Sequence, residues 1–251
     1  MEPHGYRIAL VTGASRGIGA AIVRALATRD LEVHAVARSR AALQDLARET
    51  GCVSHVADLT DPAALDALFA DLPVDVLVNN LGAVTSLRPM AEIAPDELDG
   101  MIDLNLRVTL QVLRRALPGM IARGRGHVFF MTSAAAVHTQ PGLPLYGACK
   151  AALHAMTAGL RLELAGRAIR VTEILPGRVE TDIYVGAMGG DRAAAREALY
   201  AGRQALRPED VAAAVCYALD APPHVNVSGL ELVPTLQVFG GMVFPETGGA
   251  G

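Results

Sequence analysis

No tryptophan occurs among the 251 residues, and charged side chains make up only 19% of them. The 51% apolar residues and 25 glycines that dominate instead suit a buried parallel sheet covered by Ala- and Leu-rich helices. Basic charge is scarce as well. Lys and Arg total 22 against 26 acids, for a formal charge of −4, and the arginines are scattered rather than gathered in one stripe. That leaves no electrostatic basis for a nucleic acid or an anionic membrane as partner. The three cysteines, Cys52, Cys149 and Cys216, match neither a zinc spacing nor a disulfide framework. They read as small buried hydrophobes in a reduced compartment. No apolar run reaches the roughly 18 residues of a spanning helix. The first residues carry no basic region ahead of a signal-like apolar stretch, so a cytoplasmic location is expected. The seven histidines, His127, His138 and His154 among them, form no HxxH or HExxH pair, and no metal is expected.

What is present is alternation. Short apolar runs at 8–11, 32–37, 53–56, 74–78, 127–131, 171–175 and 230–233 are mostly continuous and rich in β-branched residues, as strands covered on both faces should be. Between them, helices are expected at 17–28, 39–49, 61–70, 95–122, 145–165, 190–203 and 208–219. Thr60-Asp61-Pro62, Ala94-Pro95-Asp96-Glu97 and Pro208-Glu209-Asp210 are start signals, combining proline in the first turn with acids that suit the helix dipole. Alternating β and α implies right-handed crossovers and a single Rossmann-like, doubly wound parallel α/β sheet of about seven strands with helices on both faces. Neither an internal repeat nor a linker divides the chain. The glycines around 186–190 and 248–251 suggest a mobile loop and a frayed tail.

Thr12-Gly13-Ala14-Ser15-Arg16-Gly17-Ile18-Gly19 follows the first strand and opens the first helix. Glycines there let the backbone turn sharply and let a pyrophosphate approach the helix N-terminus, where free N–H groups and the dipole favour anions. The spacing, G-x-x-x-G-x-G, differs from the longer dinucleotide fingerprint. At the end of the second strand stands Ala37-Arg38-Ser39, with no carboxylate to bond a ribose 2′-hydroxyl or repel a 2′-phosphate. Arg38, with Arg16 from the other side, is suited to grip that phosphate, which points to NADP(H) over NAD(H).

Tyr146 and Lys150 are four residues apart, so a helix sets both on one face. Carbonyl reduction needs a proton for the oxygen as hydride reaches the carbon. A tyrosine titrates near 10, and a nearby ammonium favours its phenolate, so Lys150 is expected to lower that value. Ser133 follows the strand 127–131, at the carboxyl edge where open sheets bind ligands, and can hold the substrate oxygen. The loop 137–145 should overhang the substrate, which makes His138 a candidate contact. Arg178 can face the same pocket and hold a carboxylate through a bidentate contact.

In these motifs the chain resembles the short-chain dehydrogenase/reductase family. The resemblance runs from about residue 7 to about residue 239 and rests on Thr12–Gly19, Asp58, Asn79-Asn80-Leu81-Gly82, Asn105, Ser133, Tyr146-x-x-x-Lys150 and Pro176-Gly177 followed by Thr181. It implies one NADP(H)-binding and catalytic domain over residues 1–251. The catalytic set it implies is Asn105, Ser133, Tyr146 and Lys150. Asn105 supports a water and the lysine in a proton relay, and Lys150 also bonds the nicotinamide ribose. The implied cofactor residues are Gly13, Ser15, Arg16, Gly17, Ile18, Gly19, Arg38, Ser39, Asp58, Leu59, Asn80, Gly82, Tyr146, Lys150, Pro176, Gly177, Val179 and Thr181. Ser133, His138, Tyr146 and Arg178 face the substrate. Two departures are Leu81, where the family usually has alanine, and Ala136, where it usually has glycine. The tail from His224 to Gln237 resembles the branch that includes 3-hydroxy acid dehydrogenases and the reductase of clavulanate aldehyde. That implies small 3-hydroxy acids, or polar aldehydes and ketones, as candidate substrates. The alternatives are a biosynthetic tailoring reductase of the same fold, or a cofactor-binding regulatory protein without turnover, which would be expected to lose Tyr146 or Lys150. Apolar patterns on the helices at 95–122 and 145–165, together with the resemblance, imply a homotetramer, with a dimer second.

Overall fold

A computed structural model describes residues 5–138 and 142–237. The glycines at 248–251, residues 238–239 of the expected core, and part of the loop before Tyr146 lie outside the described residues. The strands are β1 (Ile8–Thr12), β2 (Glu32–Ala37), β3 (Val53–Val56), β4 (Val76–Asn79), β5 (Gly126–Met131), β6 (Ile169–Pro176) and β7 (Gly229–Leu232). All pair in parallel, in the order β3-β2-β1-β4-β5-β6-β7. The order reverses between β1 and β4, and the crevice outside the strand ends at such a reversal is where open α/β sheets take their ligands.

The helices are α1 (Gly17–Ala27), α2 (Arg40–Thr50), α3 (Pro62–Phe69), α4 (Pro95–Ile102), α5 (Val108–Arg123), α6 (Pro144–Glu163), α7 (Arg192–Tyr200) and α8 (Pro208–Asp220). Side-chain caps explain several starts. Asp61 accepts from the Ala63 N–H at 2.9 Å, and Asp191 accepts from Ala193 and Ala194, each satisfying donors that a first turn leaves free. Asp191 starts α7 later than the periodicity suggests, and the turn at Gly202 (φ +65°) follows its end. The expected helix 95–122 runs as α4 and α5 joined by a π-helical turn, Asp103–Arg107. Gly186–Met188 form a single 3-10 turn.

The continuous apolar runs are explained by two cores. Ala9, Val11, Val76, Val78, Phe129, Met131 and Ile174 point to the face covered by α1, α2 and α8. Leu10, Leu77, Val128, Phe130 and Val171 point to the face covered by α3, α5 and α6. Successive side chains of a strand alternate between faces, so a strand buried on both must be apolar at nearly every position. All three cysteines are buried and free. No helix among the described residues is long and apolar enough to cross a membrane, and none of their His, Cys, Asp and Glu side chains form a metal-holding group.

Candidate active site

A cleft of about 460 Å³ opens over the carboxyl ends of β1 to β4. Its floor is the turn from Gly13 to Gly19, and its shape depends on glycine. Gly13 and Gly17 have φ of +65° and +53°, a region unfavourable to residues with a Cβ. A Cβ on Gly19 would lie 2.4 Å from the Gly13 carbonyl oxygen and 2.6 Å from Asn80 Nδ2. Thr12 Oγ1 accepts the Asn80 and Leu81 N–H groups, both at 3.0 Å, while Asn80 Nδ2 donates to the carbonyls of Thr12 (3.0 Å) and Gly13 (3.3 Å). These bonds tie the turn after β1 to the loop after β4. No side chain caps the first turn of α1, so its N–H groups are available to an anion. The cradle fits a dinucleotide pyrophosphate.

Ser15, Arg16, Ile18, Arg38, Ser39, Asp58, Leu59, Gly82 and Thr181 also line this cleft. Arg38 is 74% exposed and 3.9 Å from the Asp58 carboxylate; Arg16 is 65% exposed and 4.0 Å from Asp182. Ion pairs this long and this exposed contribute little, so both guanidinium groups can be recruited by a phosphate. Asp58 is held below the usual carboxylate range, chiefly by the Thr60 N–H and hydroxyl. The Ser39 hydroxyl is turned to the Ala42 N–H at the start of α2. Leu81 packs its side chain on the α5/α6 core and lines the cleft beside Gly13, so the extra bulk relative to alanine is accommodated. Ala136 closes a 3-10 turn, its N–H donating to the Ser133 carbonyl at 2.9 Å.

Ile18, Asn80, Gly82 and Thr181 also border a second cavity of about 310 Å³. Ser133, Tyr146, Lys150, Pro176, Gly177, Arg178 and Val179 line it, so the structure brings them together. Lys150, 3% exposed, donates from Nζ to the Met131 carbonyl at 3.0 Å and lies 5.7 Å from the Tyr146 ring centre. Burial, only partly opposed by the Cys149 thiol, lowers its pKa to about 8. Tyr146 departs from the expectation. Burial, reinforced by Tyr184, pushes its phenol well above the ordinary tyrosine range, against a smaller lowering by the Ser133 hydroxyl. Burial disfavours the phenolate more than any neighbouring charge favours it.

Asn105 lies behind the cavity wall, fully buried at the centre of the π-helical turn. Its Nδ2 donates to the carbonyls of Ala83 (2.8 Å) and Met101 (3.0 Å), and its Oδ1 accepts from the Ala83 N–H at 3.1 Å. A Cβ on Gly82 would fall 2.8 Å from Asn105 Oδ1 and 3.2 Å from Lys150 Nζ, so both side chains reach up to the same glycine.

His138 is not among the residues lining the cavity. Its Nε2 is 3.2 Å from the Glu231 carboxylate on β7, and residues 139–141 beyond it lie outside the described residues. Sequence reasoning missed Tyr184, Tyr200 and Gln237, which do line the cavity. Tyrosine rarity was a usable signal. The chain has five tyrosines, and Tyr146, Tyr184 and Tyr200 share this one wall. Tyr200 donates to the Val179 and Thr181 carbonyls and accepts from the Thr181 N–H. The Tyr184 phenol is pushed up to about 12, first by burial and then by Tyr200.

A glycine-cradled cleft at the topological switch point, opening into a cavity lined by a half-buried Ser133 and a buried Tyr146 and Lys150, defines a Rossmann-fold oxidoreductase site. The sequence model described as "short chain dehydrogenase" matches residues 7–188, and the chain belongs to the short-chain dehydrogenase/reductase family. It is 43% identical over 236 residues to the short-chain type dehydrogenase/reductase y4eK of Sinorhizobium fredii, covering 94% of each chain. It is 36% identical over 243 residues to the NADP-dependent 3-hydroxy acid dehydrogenase YdfG of Escherichia coli, covering 94% of this chain and 98% of the relative. Among solved structures, the closed form of a serine dehydrogenase complexed with NADP+ superposes with a TM-score of 0.90 at 34% identity, over 95% of this chain and 99% of that one. A metagenomic short-chain oxidoreductase in complex with NADP gives 0.77 at 30% identity, over 93% and 99%.

Proposed function

We propose that the chain is an NADP(H)-dependent oxidoreductase that interconverts an alcohol and a carbonyl, acting on small 3-hydroxy acids or related polar aldehydes and ketones. The observation that carries this reading is the convergence of Ser133, Tyr146 and Lys150 on one cavity continuous with the glycine-cradled cleft. The pyrophosphate would lie on the turn from Gly13 to Gly19, and a 2′-phosphate between Arg16 and Arg38. Asn80, Gly82, Pro176, Gly177, Val179 and Thr181 would shape the inner end of the site. When bound, the dinucleotide supplies or receives the hydride.

The protein supplies the proton. Tyr146 is buried and holds its proton through the neutral range, which makes it the donor to a carbonyl oxygen gaining negative charge. Ser133 holds that oxygen beside the phenol, and Asn105 supports Lys150 in the proton relay from behind the cavity wall. Arg178 grips a carboxylate. Assembly as a homotetramer, with a dimer second, belongs to the same reading. Names of the relatives that mention NADP and 3-hydroxy acids support the cofactor and substrate class.

The test is a spectrophotometric screen. NADPH oxidation is followed against aldehydes, ketones and 3-oxo compounds, and NADP+ reduction against 3-hydroxy acids. Turnover of a 3-hydroxy acid or its oxo form with NADP(H) is the expected result. Absence of turnover across all classes, with NADPH still bound, would indicate a binding protein instead.

A further inference from the structure

The segment after β7 folds back over Gly177 and Arg178. It is held by the Gly177 N–H to the Leu232 carbonyl (2.7 Å), the Gln237 N–H to the Pro234 carbonyl (2.8 Å), and the Leu236 N–H to Gln204 Oε1 (3.0 Å). This brings the Gln237 side chain into the cavity wall beside Arg178. The backbone N–H of Arg178 donates to Gln237 Oε1 at 2.9 Å. A backbone N–H can be met only by an acceptor, so the oxygen of this carboxamide must face Arg178. Its NH2 group is left for the other side. Nε2 makes no hydrogen bond to any described residue.

The seat is built for this side chain. A Cβ on Gly177 would lie 2.7 Å from Gln237 Oε1 and 2.9 Å from Val233 Cγ1, so only glycine leaves the space that the amide fills. Arg178 makes no ion pair with any described carboxylate. The three acids of the neighbouring segments are engaged elsewhere: Glu180 with Arg196, Asp182 with Arg192 and more distantly with Arg16, and Glu231 with His138. Arg178 and Gln237 thus line the cavity from adjacent positions, and no carboxylate of the described residues lines it with them.

We propose that Gln237 is a specificity-determining residue whose NH2 group, together with the Arg178 guanidinium, receives the carboxylate of the substrate. The proposal rests on the oxidoreductase reading for the location of the substrate, and it identifies the group that selects acids over neutral alcohols. A carboxylate accepts only, so a wall of donors favours it. Replacing that wall by an acceptor should reverse the preference.

The test uses the full chain with NADP+ and compares wild type, Gln237→Glu and Gln237→Met. The substitution to glutamate keeps an oxygen for the Arg178 N–H but turns a second oxygen, with charge, toward the cavity. Turnover is measured on 3-hydroxybutyrate and on 3-hydroxybutyramide, and binding of unreactive butyrate to the protein–NADP+ complex is measured by calorimetry. Gln237→Glu should lower kcat/KM for the acid by about 10- to 100-fold, the size of a lost hydrogen bond to a charged group. It should spare or improve the amide, whose NH2 can donate to the new carboxylate. Butyrate binding should weaken by a similar factor while NADP+ affinity holds, and Gln237→Met should lie between. Equal losses on acid and amide, or butyrate binding that is absent in wild type or unchanged in Gln237→Glu, overturn the proposal. Turnover of both substrates without discrimination removes the subsite and keeps the oxidoreductase. Gln237-dependent butyrate binding without turnover of either substrate keeps the subsite and removes the reaction.

Discussion

A proton donor to a developing alkoxide must still carry its proton at neutral pH, and the site around Tyr146 is arranged for that. The phenol is buried beside Lys150, and burial outweighs any help the lysine gives to the phenolate. The i,i+4 relation of Tyr146 and Lys150 was legible because helical spacing alone puts both on one face. Which way the phenol would shift was not legible, since burial depends on how α6 packs against the Ala134–Ala136 turn and the loop after β6. Gln237 and Tyr200 were hidden for the same reason. They reach the cavity through tertiary contacts with residues 59 and 19–21 positions away. Replacing Tyr146 by Phe removes the proton while keeping the ring that fills the cavity. Turnover should fall by the ~10²–10⁴-fold typical of lost acid–base catalysis, with NADPH still bound, as read by fluorescence titration. Near-normal turnover of Tyr146→Phe would assign the proton to another group.

At the scale of elements, continuous apolar runs bounded by start signals located all seven strands, with ends moved by no more than about two residues. Period alone did not reveal the π-helical turn between α4 and α5, which spans only Asp103–Arg107 and widens the hydrogen-bond ladder for a single turn. That turn is what buries Asn105 against Ala83. The β2–α2 junction was legible to within a residue, with Arg38 directly after the strand and lining the cleft. Its long pair with Asp58 leaves it free to be recruited. Changing Arg38 to Asp replaces attraction by repulsion at a 2′-phosphate and at nothing common to both dinucleotides. The ratio of kcat/KM for NADPH over NADH should fall by at least tenfold, as one charge-assisted contact is worth about 1.5–3 kcal/mol. A wild type that prefers NADH, or a ratio unmoved by the substitution, would place the selectivity elsewhere.

For the molecule as a whole, stability must absorb the cost of the charge that the site keeps buried. Lys150 has an ordinary value of 10.5 and is lowered to about 8 in the fold. Between those values the unfolded chain binds more protons than the folded one, so stability rises with pH. Below about 8 the amine is charged in both states and the full desolvation cost of burial is present. Raising the pH from 7.5 to 9.5 should relieve on the order of 2 kcal/mol of it, at about 1.4 kcal/mol per pKa unit. Tyr146 acts in the opposite sense. Its raised value means the folded state holds its proton longer than the unfolded chain does, so its contribution is lost above about pH 10, outside this window. Lys150→Met keeps a long apolar stem but removes the titrating group, and most other titrations cancel in the difference between the two proteins. Urea unfolding of both, without added dinucleotide, at pH 7.5, 8.5 and 9.5 measures that difference. The stability of wild type relative to Lys150→Met should climb steadily across the series. A flat difference would mean that the Lys150 amine is solvated well enough to stay charged to its ordinary value.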